Sequence, residues 1–245
     1  MLRRPDPEWM STARTVAARW SHLDAGERDR LLAQAQRLDR TRTWEGLDGL
    51  TVTPEMRALI TVQACLLTVN IGVRVLRDVT SILVAPSATT RTTRHRTGPS
   101  IITESNTCVL GETLMHGPIR VAWDQVLAEQ TRRAETSVVI HEFAHKVDMA
   151  DGDAGGTPPI AGREASFAFE RTAETVFGAL RDGMPSRSLR PYAATNRVEL
   201  FAVATEAFFL QPTILNGEHP DLYRVLATFY RQDPAALGSG PRDRA

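Results

Sequence analysis

Apolar residues recur at helical spacing along most of the chain and alternate, as in a strand, in only a few places. Residues 1–20 are polar apart from anchors such as Trp9 and Trp20. Asp24 then leads into a stretch from Glu27 to Leu38 in which Leu31, Leu32, Ala35 and Leu38 share one helical face. Residues 39–50 read as a loop. Thr53-Pro54-Glu55 opens a second helix, with Thr53 at the cap and Pro54 at the first helical position. It runs through Met56, Ile60, Ala64 and Leu67 towards Val69 and is apolar nearly all round, so it belongs inside. Val79 to Val84 is rich in β-branched residues and predicts a strand. Ile101 to Glu104 and Thr107 to Leu110 are candidates for short strands, and Ile119 to Trp123 alternates cleanly.

Beyond these lies a helix from Ala134 to Met149, apolar on most sides, and then the turn Asp151 to Gly156. Arg163 to Leu180 is amphipathic, with Phe167, Ala168, Val176 and Phe177 expected to face inward. A long apolar helix is entered at Pro191, runs through Phe209 and is ended by Pro212. Asp221 to Tyr230 predicts a last helix before a polar tail. Many helices with a few strands predict an α+β fold. The division expected is an N-terminal segment 1–22, a main domain 23–234 and a flexible tail 235–245.

A chain of 245 residues is long enough for one full hydrophobic core. Its 42% hydrophobic and 24% charged residues are ordinary for a globular protein. The formal net charge of +0 gives no reason to expect direct binding to nucleic acid or an acidic membrane. Among the basic residues Lys146 is the only lysine. Arg91, Arg94, His95 and Arg96 form a basic cluster that reads as a solvated loop, with contact to phosphate or an acidic partner as the alternative. Cys65 and Cys108 show no C-x-x-C spacing, so they read as free thiols in a reducing compartment, Cys65 as core packing. The first ten residues carry Arg3, Arg4, Asp6 and Glu8 and no apolar centre, unlike a signal peptide. The longest apolar region, Leu59 to Leu76, is broken by Gln63, Asn70 and Arg74, so no membrane span is expected. These features together predict a cytoplasmic protein.

The chemistry is concentrated in His141-Glu142-Phe143-Ala144-His145, an H-E-x-x-H pattern. Two histidines four apart on a helix share a face and can reach one zinc ion. Glu142 stands beside them, where a carboxylate can take a proton from a metal-activated water. Such a short motif also arises by chance. Here, however, it sits in a helix that should be buried, and buried helices rarely carry two histidines and a glutamate without partners. Asp148 faces the same way as the histidines, and a bond from it to a histidine N–H would explain an acid at a helix C-terminus. The aspartates of the following turn lack the EF-hand pattern for calcium. His22, His116 and His219 read as loop or surface histidines. The strand Ile119 to Trp123 could hold an extended peptide by edge pairing, or lie inside the sheet.

A catalytic zinc site needs a third protein ligand, and spacing leaves three glutamates open. Glu164 follows His145 by nineteen residues. Glu199 and Glu206 share a face of an otherwise apolar helix, where a carboxylate is costly unless paired or bound to metal. Glu199 could instead complete a capping box with Asn196.

The run from His141 to Asp148, the segment Tyr192-Ala193-Ala194-Thr195 ahead of Glu199, and Phe229 to Pro234 together resemble the Mlc titration factor A family. These are bacterial zinc-dependent peptidases, similar in structure to the catalytic domain of anthrax lethal factor. The likeness runs from about Leu23 to Pro234 and is most specific in the C-terminal half. It implies a zincin-like (gluzincin) metallopeptidase domain: a small sheet, an HExxH helix and a second ligand-bearing helix. It implies Zn²⁺ bound by His141, His145 and Glu199, with Glu142 as general base. Tyr192 is then the tyrosine beside the metal, donating a hydrogen bond to the oxyanion, and Glu206 holds a histidine tautomer from behind. The implied reaction is hydrolysis of peptide bonds, aminopeptidase-like and on short peptides. Family members are also described as binding the glucose repressor Mlc, so the alternative is a regulator that sequesters a transcriptional repressor, with hydrolysis secondary or absent. A structural zinc domain is the third reading.

Overall fold

Helix ends in this chain are fixed by side chains placed at the caps. The computed structural model describes residues 6–87, 93–96, 102–105, 117–131 and 135–236. The expectations for Arg91, Thr107 to Leu110, Cys108, His116 and the end of the tail lie outside those residues. Helix α1 (Pro7–Ala17) begins where Asp6 accepts the amides of Glu8 and Trp9 at 2.9 and 3.3 Å. Trp9, Ala13, Val16 and Ala17 are buried, so this first segment shares the core of the rest. Helix α2 (Ala25–Thr41) starts in a capping box: Asp24 accepts the Glu27 amide at 2.7 Å, and Glu27 accepts the Asp24 amide at 3.0 Å. Leu31, Ala35 and Leu38 form its inner face.

Residues 43–46, expected as loop, form strand β1 (Thr43–Gly46). Four residues are too few for alternation to register, and the strand exists through its pairing with β2 (Ser81–Ala85). Helix α3 (Pro54–Leu66) lies between them in sequence and makes the crossover that parallel strands need. Thr53 caps it, and residues 58–66 are all buried, as an all-round apolar helix requires. Strand β5 (Ile119–Ala122) pairs with the other side of β2, giving a parallel sheet of order β1-β2-β5. Strands β3 (Thr93–Arg96) and β4 (Ile102–Ser105) form a separate antiparallel pair, so part of the basic cluster is strand rather than loop. Among the described residues, β5 is an edge of the parallel sheet.

Helix α4 (Trp123–Thr131) follows β5 directly, and α5 (Val138–Asp148) carries the H-E-x-x-H motif. Helix α6 (Arg163–Arg181) turns a different stripe inward from the one expected. Phe169 and Ala173 are buried, with Val176, Phe177 and Leu180 packed on the core, while Phe167 is 63% exposed. The helical period explains the difference. Phe169 has apolar residues at the following four, seven and eight positions, whereas Phe167 has Glu170, Arg171 and Glu174 on its face. The next apolar helix begins later than expected. Pro191–Ala194 forms one tight helical turn, and Asn196 then caps α7 (Arg197–Leu210). Pro212 ends that helix and also opens α8 (Pro212–Glu218), which is followed by α9 (Pro220–Tyr230).

Helix α5 lies in the middle of the molecule, packed against α7, α3 and β5. Residues 199–209 of α7 are all buried. Behind them Phe208, Phe209, Phe229 and Tyr230 interlock, with the Tyr230 ring 4.8 Å from that of Phe229 and 5.1 Å from that of Phe209. Among the described residues no helix is long and apolar enough to cross a membrane.

Candidate metal centre

The helical repeat of α5 sets His141 and His145 one turn apart on the face turned towards α7. Their Nε2 atoms lie 3.2 Å from each other. Glu199, in the first turn of α7, brings Oε2 to 3.1 Å from His141 Nε2 and 3.6 Å from His145 Nε2. All three residues are buried, and one ligand atom from each lies within 4.8 Å of the others. These distances suit an ion: three donors held tetrahedrally at about 2.0–2.1 Å stand roughly 3.3–3.4 Å apart. Glu199 Oε2 is closed off from solvent and has no hydrogen-bond donor aimed at it. Leaving it so costs about 1–3 kcal/mol or more, a debt that a cation would remove.

Electrostatics carry the same message. Burial pushes the Glu199 carboxyl up, but the adjacent imidazoles outweigh it and hold the group well below the usual carboxylate range. Burial pulls His141 down, but Glu199 and Glu206 outweigh it and raise the imidazole to about 9. The cluster therefore demands positive charge at its centre.

His141 is fixed from behind. His141 Nδ1 lies 2.8 Å from Glu206 Oε1, and donation there leaves Nε2 to offer its lone pair to a cation that displaces its proton. Arg190 grips both oxygens of Glu206, at 2.7 and 3.3 Å, and the Ser137 amide donates to Glu206 Oε2 at 2.8 Å. Two amides of the first turn of α5 are also taken. Val138 donates to Glu129 Oε1 at 2.6 Å, and Ile140 donates to Ser137 Oγ at 3.2 Å. On α7, Asn196 Oδ1 accepts the Glu199 amide at 2.9 Å. Half of the capping box is thus present, but the Glu199 carboxylate turns towards the histidines.

A family model described as glucose-regulated metallo-peptidase M90 matches residues 2–231. The chain belongs to that family. It is 32% identical over 220 residues to Mlc titration factor A of Yersinia enterocolitica serotype O:8 / biotype 1B, covering 87% of this chain and 82% of that protein. It is 31% identical over 220 residues to the Mlc titration factor A of Yersinia pestis strain Pestoides F, and equally to that of Yersinia pseudotuberculosis serotype O:1b, with 87% of this chain and 81% of each relative covered.

In this M90 chain His141 borders a cleft of about 870 Å³, lined among others by Glu129, Glu142, Arg190, Tyr192 and Glu206. Glu142 is half-buried, and burial pushes its carboxyl up. Tyr192 is 39% exposed, its ring 6.1 Å from that of His141. Glu164 is exposed at the start of α6 and is not part of the cluster. Asp148 does not meet a histidine. Its Oδ2 accepts the amide of Gly156 at 2.9 Å. His22 contacts Gln232 at 3.1 Å and His219 contacts Ser186 Oγ at 3.1 Å, both away from the cleft. Buried Cys65 has its thiol pushed up to about 12 by burial, which leaves it inert. Sequence reasoning did not single out Arg190 or Glu129. Neither stands at a telling spacing from the motif, and the only local signal for Arg190 is its position just before Pro191-Tyr192.

Proposed function

We propose that this chain is a zinc-dependent peptidase with a zincin-like α+β fold, in which His141, His145 and Glu199 bind Zn²⁺. The observation that carries the reading is the convergence of two Nε2 atoms and one carboxylate oxygen at 3.1–3.6 Å, beside an open cleft. Zinc, when bound, supplies Lewis acidity and brings the pKa of a coordinated water to about 7. Glu142 takes a proton from the attacking water and passes it to the leaving amine. Its burial favours the protonated state needed between the two transfers. Tyr192, on the rim of the same cleft, donates a hydrogen bond to the substrate carbonyl oxygen as charge develops on it. A short peptide lies extended along β5 by main-chain pairing and is cut from its amino end.

Glu142 is absent from the ligand cluster, so Glu142→Gln should retain metal and fold while hydrolysis of a fluorogenic peptide panel falls by about a hundredfold or more. Unchanged hydrolysis in that variant would refute the assignment.

The name of the relatives favours a second reading, in which the chain binds an Mlc-like transcriptional repressor. The same variant separates the two. Retained repressor binding with lost hydrolysis supports two functions, and repressor binding by a protein that cleaves no peptide supports the regulator alone.

A further inference from the structure

We propose that Arg190 is a positioning residue that holds both sides of the candidate centre at once: the Glu206 carboxylate behind His141, and the Tyr192 ring over the cleft. The second half rests on the peptidase reading, while the first needs only the metal site.

Glu206 is 2% exposed, and a carboxylate so deep requires compensation. Arg190 supplies it as a fork, with Nη2 donating to Oε1 at 2.7 Å and Nη1 to Oε2 at 3.3 Å. The oxygen held at 2.7 Å is the one that faces His141 Nδ1. Nη2 also lies 3.1 Å from His141 Nδ1, so the guanidinium touches a ligand ring directly as well as through Glu206. Its Cζ also lies 5.7 Å from the centroid of the Tyr192 ring, within range of a cation–π contact. Arg190 is the only arginine or lysine among the described residues lining the cleft, against the four carboxylates Glu129, Glu135, Glu142 and Glu206. Its own backbone is anchored, since its carbonyl accepts the Ala193 amide at 2.9 Å.

Removal of this fork leaves Glu206 buried with an uncompensated charge. The carboxylate then turns away from its place behind the ring, and His141 loses the acceptor that fixes its tautomer. Tyr192 loses the cation whose Cζ lies 5.7 Å from its ring centroid. Lysine substitutes only in part, because a single ammonium cannot reproduce the fork to both oxygens of Glu206. An ordinary surface ion pair predicts a small change in stability and nothing more.

The test compares Arg190→Gln, Arg190→Lys and Glu206→Gln with Arg187→Gln, a control from the same loop. Zinc affinity is read by competition with a chelator. Arg190→Gln and Glu206→Gln should each weaken it by about 10–100-fold, with the double variant no worse than the weaker single one and Arg190→Lys between Gln and the parent. Arg187→Gln should leave it unchanged. Where hydrolysis is measurable, Arg190→Gln should lower kcat more than it raises KM, and its effect should be less than multiplicative with that of Tyr192→Phe. Should Arg190→Gln fail to fold, Arg190→Lys carries the same comparison. Zinc affinity within about twofold of the parent in folded Arg190 variants would overturn the proposal. Absent hydrolysis in the parent would instead count against the peptidase reading and leave the zinc comparison decisive for Arg190.

Discussion

Asp148 Oδ2 accepts the backbone amide of Gly156 at 2.9 Å, so the last residue of α5 grips the loop that passes beneath the start of α7. Gly156 has φ +74°, and a Cβ built on it would stand 2.3 Å from the carbonyl oxygen of Arg197. The spacing between the histidine helix and the glutamate helix therefore depends on a position where only glycine fits. Gly156→Ala should cost about 1–3 kcal/mol or more and lower Tm by about 2–4 °C per kcal/mol. It should weaken metal binding as well. Gly178, inside α6 with open space around it, is the matched control. Gly178→Ala should be neutral or stabilising by up to about 1 kcal/mol. Calorimetry of the two variants checks the contrast, and equal Tm values would refute it.

The same aspartate predicts a pH dependence. Burial pushes the Asp148 carboxyl up to about 7, with the nearby charges of Asp151 and Asp153 adding to the effect. An aspartate ordinarily titrates at 3.8, so the native state binds the extra proton across that window and stability falls as pH rises through it. Each pH unit of the window is worth about 1.4 kcal/mol, which bounds the penalty above pH 7 at a few kcal/mol. Asp148→Asn keeps an acceptor for Gly156 and removes the charge. It should raise Tm relative to the parent at pH 8, with the gain vanishing near pH 4. A constant difference across pH would contradict this.

Glu218 makes the opposite prediction. Its exposed carboxylate accepts the amides of Arg187 and Ser188, at 3.0 and 3.0 Å to Oε2, and the hydroxyls of Ser186 and Ser188 at 2.9 and 2.8 Å. Burial nudges it up, but these donors outweigh that and hold it near 2. Its contribution is complete above the unfolded value and is lost as pH falls towards 2. Because the group is solvent-screened, Glu218→Gln should cost only about 1 kcal/mol at pH 7 and nothing near pH 2, read as the difference in Tm at the two pH values. The loop held by Glu218 leads to Arg190 and Tyr192, so the variant should also reduce hydrolysis.

What the sequence could convey was local. The histidine pair is a single-turn pattern, and the burial of α5 follows from its own apolar flanks. The caps at Asp24, Thr53 and Asn196 are likewise legible within four residues. The acid facing the histidines comes from a separate helix, and no period links the two, so spacing alone left Glu164, Glu199 and Glu206 open. Family resemblance, rather than periodicity, singled out Glu199. β1 was hidden because a four-residue strand takes its conformation from β2. Phe167 misled because it is apolar, whereas the face of α6 is decided by its neighbours at helical spacing. Arg190 and Glu129 were invisible because their roles depend on tertiary contacts with Glu206 and Val138.

The central claim is that one divalent ion is shared by His141, His145 and Glu199, and metal analysis of purified protein tests it most directly. The parent and Glu164→Gln should each carry about one equivalent of zinc per chain, while folded Glu199→Gln should lose most of it. Full zinc in Glu199→Gln with loss in Glu164→Gln, or no divalent metal retained by the parent after zinc loading, would contradict the account.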